Sequence, residues 1–130
     1  MSDAVRDYLE KRGCAPHLCD GGLEGLVARW EEFVEEVVGG YSLGLDDYLN
    51  DLDLRDILEG ALGAAGPSEA KAARRRTRAA DERFRGTTAE CAPLWGETRE
   101  RADAVPWWYR RRPLNPGEEL REDLHRAGLR

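Results

Sequence analysis

Six carboxylates, Asp46, Asp47, Asp51, Asp53, Asp56 and Glu59, fall within residues 40–59 (GYSLGLDDYLNDLDLRDILE), and Arg55 is the only base among them. Oxygen-rich runs of this density suit two kinds of chemistry: holding a hard cation, or attracting a basic partner. The calcium option fails on spacing. An EF-hand loop needs oxygen ligands at alternate positions with glycine at the sixth. Counted from Asp51, the fifth position is Arg55 and the sixth is Asp56. A solvated helix face, or an acidic docking surface built on Asp46, Asp47, Asp51 and Asp56, is the better reading.

Two further groups carry chemical potential. Cys14, His17 and Cys19 supply zinc-type donors, with Cys91 or His125 available as a fourth. Structural zinc sites favour paired knuckles, however, and Cys-x-x-His-x-Cys is not a knuckle spacing. The thiols serve equally well as small apolar fillers between helices. Arg74, Arg75, Arg76 and Arg78, followed by Arg83 and Arg85, form a basic run, and WWYRRRP (residues 107–113) combines stacking rings with guanidiniums. Trp107, Trp108, Arg110 and Arg111 in that pattern suit single-stranded nucleic acid or a protein hot spot. A sequence pI of about 5.0 weighs against nucleic acid as the main partner. No nucleophile elbow, phosphate-binding glycine loop or dinucleotide fingerprint occurs, so an enzyme is not expected, and no cofactor or metal is expected.

The elements that must position these residues read as helical throughout. Of the large β-branched residues only valine is common and isoleucine occurs once, at Ile57, so strand formers are scarce. Ser2 is placed to cap a first helix with Ala4, Val5, Tyr8 and Leu9 inward, and Gly13 to end it. Residues 14–22 read as a connector, in which Pro16 opens one short helical turn. Leu23, Leu26, Val27, Trp30, Val34, Val37 and Val38 then form the clearest apolar stripe, closed by Gly39 and Gly40. Leu45, Tyr48, Leu49 and Leu52 continue as a second stripe, but extending it would bury Arg55. A new stripe starts at Leu54, so two short helices over 46–52 and 54–63 are expected, with Asp53 capping the corner. Residues 63–66 read as a joint.

A long helix is expected from Pro67 or Ser68 to Trp95, with a thin seam of Ala73, Thr77, Ala80, Phe84, Thr87 and Cys91. That seam leaves a homo-oligomer open. Residues 97–105 read as a charged loop, PWWYRRRP as an extended segment between prolines, and Leu120 and Leu124 as the inward face of a last short helix. The fold class that follows is all-α: a single domain over residues 1–130, a compact bundle of five or six helices with an extended aromatic-rich segment near the C-terminus.

Charge is unevenly spread. Residues 1–66 hold 15 acids and 5 bases, residues 67–130 hold 11 acids and 15 bases, so the halves carry −10 and +4. The two halves can neutralise each other across the fold or present opposite potentials to partners. No stretch is long enough to span a membrane, and the first residues, MSDAVRDYLEKRG, lack a signal-peptide core. A cytoplasmic protein with three free thiols is the expectation.

The run over residues 30–55, WEEFVEEVVGGYSLGLDDYLNDLDLR, together with DERFR, LWG and WWYRRRP, resembles a family of small bacterial helical proteins without an established activity. The resemblance covers most of the chain. It implies a recurring helical domain and transfers no catalytic residue, cofactor or partner.

The expected function is therefore non-enzymatic binding of a macromolecule: an acidic surface docking a basic protein, as inhibitors and immunity proteins do. Steering by Asp46, Asp47, Asp51 and Asp56 and anchoring by an exposed aromatic would supply the mechanism, with reversal of Asp47 and Asp51 expected to slow association and spare the fold. A nucleic-acid or nucleoprotein binder using the arginine run and WWYRRR is the alternative, and a small enzyme or zinc protein using Cys14, His17 and Cys19 a second one.

Overall fold

Glycine and proline punctuation decides most of the helix boundaries. A computed structural model describes residues 3–95 and 105–129. Helix α1 (Asp3–Lys11) buries Val5 and Leu9, while Ala4, expected inward, faces solvent. Gly13 adopts φ 80°, a left-handed conformation that other residues rarely accept, and turns the chain. Pro16 then opens α2 (Pro16–Gly39), where its missing N–H costs nothing. The expected single turn is longer than the sequence suggested: helix runs to Gly21, breaks at Gly22 (φ 59°, ψ −156°), and resumes.

The α2 stripe buries Leu23, Leu26, Val27, Trp30, Val34 and Val37, leaving Val38 half-buried. Phe33 joins it, absent from the predicted stripe but buried at the centre of an aromatic cluster. Its ring lies 5.3 Å from Trp30, 5.7 Å from Tyr41, 5.6 Å from Tyr48 and 6.0 Å from Phe84. Aromatic pairs at such separations each add about 0.5–1.5 kcal/mol beyond the area they bury.

Helix α3 (Leu45–Ala64) corrects the sequence expectation most clearly. It is one uninterrupted helix, with no corner and no cap at Asp53. Arg55 is carried into the interior, 4% exposed, because α4 (Pro67–Gly86) delivers Asp81 against it. Gly60 lets α1 approach closely: a Cβ there would collide with the Tyr8 ring.

Helix α4 is shorter than the predicted one and ends at Gly86. Thr88 turns its hydroxyl back onto the Phe84 carbonyl (2.7 Å), and the chain leaves as strand β1 (Thr88–Glu90). Thr87, Cys91, Leu94 and Trp95 are therefore not helical. The thin seam of Ala73, Thr77, Ala80 and Phe84 is buried chiefly against α2, so it is used inside the chain.

WWYR is a 3-10 turn (Trp107–Arg110) rather than extended chain; extension begins only at β2 (Arg111–Pro113), antiparallel to β1 with Ala89 opposite Arg112. Helix α5 (Glu118–Arg126) buries Leu120 and Leu124 as expected. The charged loop expected at residues 97–105 lies outside the described residues, except for Val105, which is buried. Among the described residues, five α-helices around one core make the architecture an all-α bundle with one short two-stranded antiparallel ribbon, whose strands are far apart in sequence.

Candidate functional site

The six carboxylates of residues 46–59 separate by partner. Asp46 and Asp47 occupy the first turn of α3, exposed, where the helix dipole favours negative charge. Asp51 accepts the Tyr41 hydroxyl at 2.5 Å, Asp53 accepts the Tyr109 hydroxyl at 2.5 Å, and Asp56 receives Arg12 Nη2 at 2.8 Å. Glu59 reaches Arg55 Nη1 at 3.5 Å. Four of the six thus hold the fold together, and Asp51 and Asp56 are less free to meet a partner than the sequence suggested.

Electrostatics locate a corner where acids converge. Burial, then the bond to Asp51, then the charges of Asp51, Asp47 and Glu36 push the Tyr41 hydroxyl well above its ordinary range. Glu36 at the end of α2 and Asp47 and Asp51 on α3 therefore act on one atom. Helix α5 adds two more. Asp123 accepts the Leu45 N–H at 2.9 Å, capping α3 where Gly44 has no side chain to do so. A Cβ on Gly44 would lie 2.7 Å from Asp123 Oδ2 and 3.0 Å from Glu119 Oε1. Among the described residues, the base paired at this corner is Arg126, 3.6 Å from Asp123 and largely exposed. Leu43, in the loop between α2 and α3, is 47% exposed.

The arginines of α4 divide into two rows. Arg76 bonds Glu31 at 2.5 Å and also Glu24, and Arg83 bonds Glu35, so this row meets the acidic face of α2. The Arg83 guanidinium holds the Glu35 carboxyl below its usual range. Arg74, Arg78 and Arg85 instead line a cleft toward α3, where Arg74 and Arg78 make no ion pair among the described residues.

The WWYRRR segment is spent internally. Trp108 is 5% exposed, with the Arg55 guanidinium 4.6 Å from its ring centroid. Trp107 is half-buried beneath Arg85, whose guanidinium sits 3.9 Å above the ring. Arg111 donates to Thr88 Oγ1 (2.7 Å) and to the Thr88 and Arg85 carbonyls, and Arg110 lies 3.9 Å from Glu90. The expected exposed aromatic anchor is therefore neither Trp107 nor Trp108. Leu43, Leu114 and Trp95 are the large apolar side chains that reach solvent among the described residues.

The structure does not assemble Cys14, His17 and Cys19 into a ligand set. Cys19 is buried with its thiol toward the Cys14 carbonyl (3.7 Å), whereas His17 points to solvent. Among the described residues, no three of His, Cys, Asp and Glu are grouped to hold a metal ion. Burial pushes the Cys14 and Cys91 thiols upward, the opposite of what activates a nucleophile.

Sequence reasoning missed one group entirely. Asp81, 7% exposed, accepts Arg55 Nε at 3.0 Å, Arg55 Nη2 at 2.9 Å and Trp30 Nε1 at 3.0 Å. The available signal was a carboxylate between Ala80 and Phe84 on the buried seam, which required a cation to match. Asp81 thereby positions α2, α3 and α4 relative to one another, and with them both charged faces.

In comparisons with known proteins, no family model, no curated protein and no solved structure matches the chain. No helix among the described residues is long and apolar enough to cross a membrane.

Proposed function

We propose that the protein acts without catalysis, by docking a basic protein partner on the acidic corner where α2, α3 and α5 meet, in the manner of an inhibitor or immunity protein. The observation that carries this reading is the set of acids around the loop into α3: Asp51 bonded to Tyr41 with Glu36 and Asp47 acting on the same hydroxyl, Glu119 and Asp123 beside Gly44, and Asp46 exposed next to Asp47. Like charges held together at a surface raise the local potential, speed encounter with a cation-rich partner and reject acidic ones. Asp46 and Asp47 carry the steering, since Asp51 and Asp123 are already engaged in hydrogen bonds. Leu43 supplies the apolar contact in place of a tryptophan. The three free thiols fit a reducing cytoplasm as the place of action.

The test is capture by tagged protein from lysate of its own host, with and without nuclease, read by mass spectrometry. One basic protein recovered in stoichiometric amount in both arms is expected. Recovery that disappears with nuclease, or none in either arm, would contradict the reading.

A further inference from the structure

The cleft between α3 and α4 has a composition at odds with an acidic protein. It encloses about 230 Å³ and is lined by Arg55, Arg74, Arg78 and Arg85 against two carboxylates, Asp81 and Glu59. Both carboxylates answer Arg55: Asp81 with both oxygens, and Glu59 at 3.5 Å. Arg74, Arg78 and Arg85 follow one another at steps of four and seven along one face of α4, so their charges collect on the same wall. A guanidinium cannot shed its proton to relieve such crowding. The other row of α4 shows the contrast, since Arg76 and Arg83 are matched by glutamates of α2. Arg85 is also held in place, with its guanidinium carbon 3.9 Å from the Trp107 ring centroid.

Guanidiniums gathered on one wall of a small cleft, with Arg55 and Arg85 anchored and Arg74 and Arg78 exposed beside them, match a tetrahedral oxyanion, whose oxygens accept several charge-assisted bonds at once. The nearby aromatic faces are unavailable for a nucleobase, because Arg85 covers Trp107 and Trp108 is buried. From this geometry we infer that the cleft binds the phosphate group of a small molecule, with Arg74, Arg78 and Arg85 as its ligands and Arg55 as a fixed rear wall. The site is separate from the acidic corner and does not depend on the docking role.

Titration of the full chain with inorganic phosphate and with pyrophosphate, at constant ionic strength, tests this by calorimetry and by tryptophan emission. Saturable binding is expected, with an emission change reporting Arg85 above Trp107. Arg78→Gln and Arg74→Gln should each weaken it roughly tenfold or more, the scale of one charge-assisted hydrogen bond. Arg75→Gln, exposed and outside the cleft, should leave it unchanged, and circular dichroism should show all three variants folded. Absence of saturation with either anion would overturn the proposal, as would equal weakening by Arg75→Gln. Tighter binding of a single-stranded oligonucleotide without terminal phosphates, weakened by the same variants, would overturn the small-molecule assignment.

Discussion

Replacing Asp81 by alanine should do more damage than any surface change in this chain. Asp81 is 7% exposed, and its side chain accepts three hydrogen bonds, two from Arg55 and one from Trp30, each 2.9–3.0 Å long. Burial alone would lower the Arg55 pKa, but the bonds and charges of Asp81, with a smaller contribution from Glu59, offset it, and the net shift is upward. Without Asp81, the buried Arg55 is left, among the described residues, with Glu59 at 3.5 Å as its ion-pair partner, and the Trp30 N–H loses its acceptor. Breaking a buried ion pair by removing one partner costs about 3–5 kcal/mol. For a chain of this size that corresponds to a fall in Tm of about 10–20 °C.

Arg55→Met should cost a similar amount, because it strands the Asp81 carboxylate and removes the cation from the Trp108 face. The double variant should be less unstable than the two single losses combined, with a coupling of about 1–3 kcal/mol. Urea unfolding followed by tryptophan fluorescence measures all four proteins, with an unchanged m-value confirming comparable transitions. A loss below about 1 kcal/mol for Asp81→Ala would refute the claim that this ion pair organises the bundle.

Two other outcomes follow from contacts within the fold. Gly60→Ala should destabilise by about 1–3 kcal/mol, because its Cβ meets the Tyr8 ring, and the penalty should largely vanish in a Tyr8→Ala background, as a thermal-melt cycle would show. Stability should hold up to about pH 10 and fall above it, since unfolded tyrosines ionise near that pH. Tyr41, Tyr48 and Tyr109 are all held well above their ordinary range, first by burial, so the folded state keeps protons that the unfolded state releases. Denaturant melts across alkaline pH would check the sign, and rising stability there would contradict it.

The legible parts of this sequence were those governed by local chemistry. Gly13 and Gly40 take positive φ at or beyond helix ends, and Pro16 and Pro67 open helices, because each residue's own backbone limits decide the matter. The stripes of α2 and α5 were equally plain. What escaped depended on partners distant in sequence. Arg55 looked too costly to bury because the carboxylate that makes its burial possible lies 26 residues away. The two carboxylates Asp51 and Asp53 looked free or capping, yet each is held by a tyrosine hydroxyl from another element. Strands β1 and β2 are three residues each, too short for an alternating pattern to register. For the site, the exposed acids Asp46 and Asp47 were read correctly in position, whereas the aromatic–arginine segment packs against the fold, with Trp108 and Tyr109 buried and Trp107 and the arginines half-buried.

The corner's role is tested most directly by the rate at which it meets its partner. Wild-type protein and Asp46→Lys/Asp47→Lys should be compared for association with the captured basic protein at low and high salt. Both substitutions sit on exposed first-turn positions, so the fold should be spared, unlike reversal of Asp51, which would break its bond to Tyr41. Association of the double variant should be slowed roughly tenfold or more at low salt, with the two proteins converging as salt screens the field. Equal rates at low salt would contradict that role.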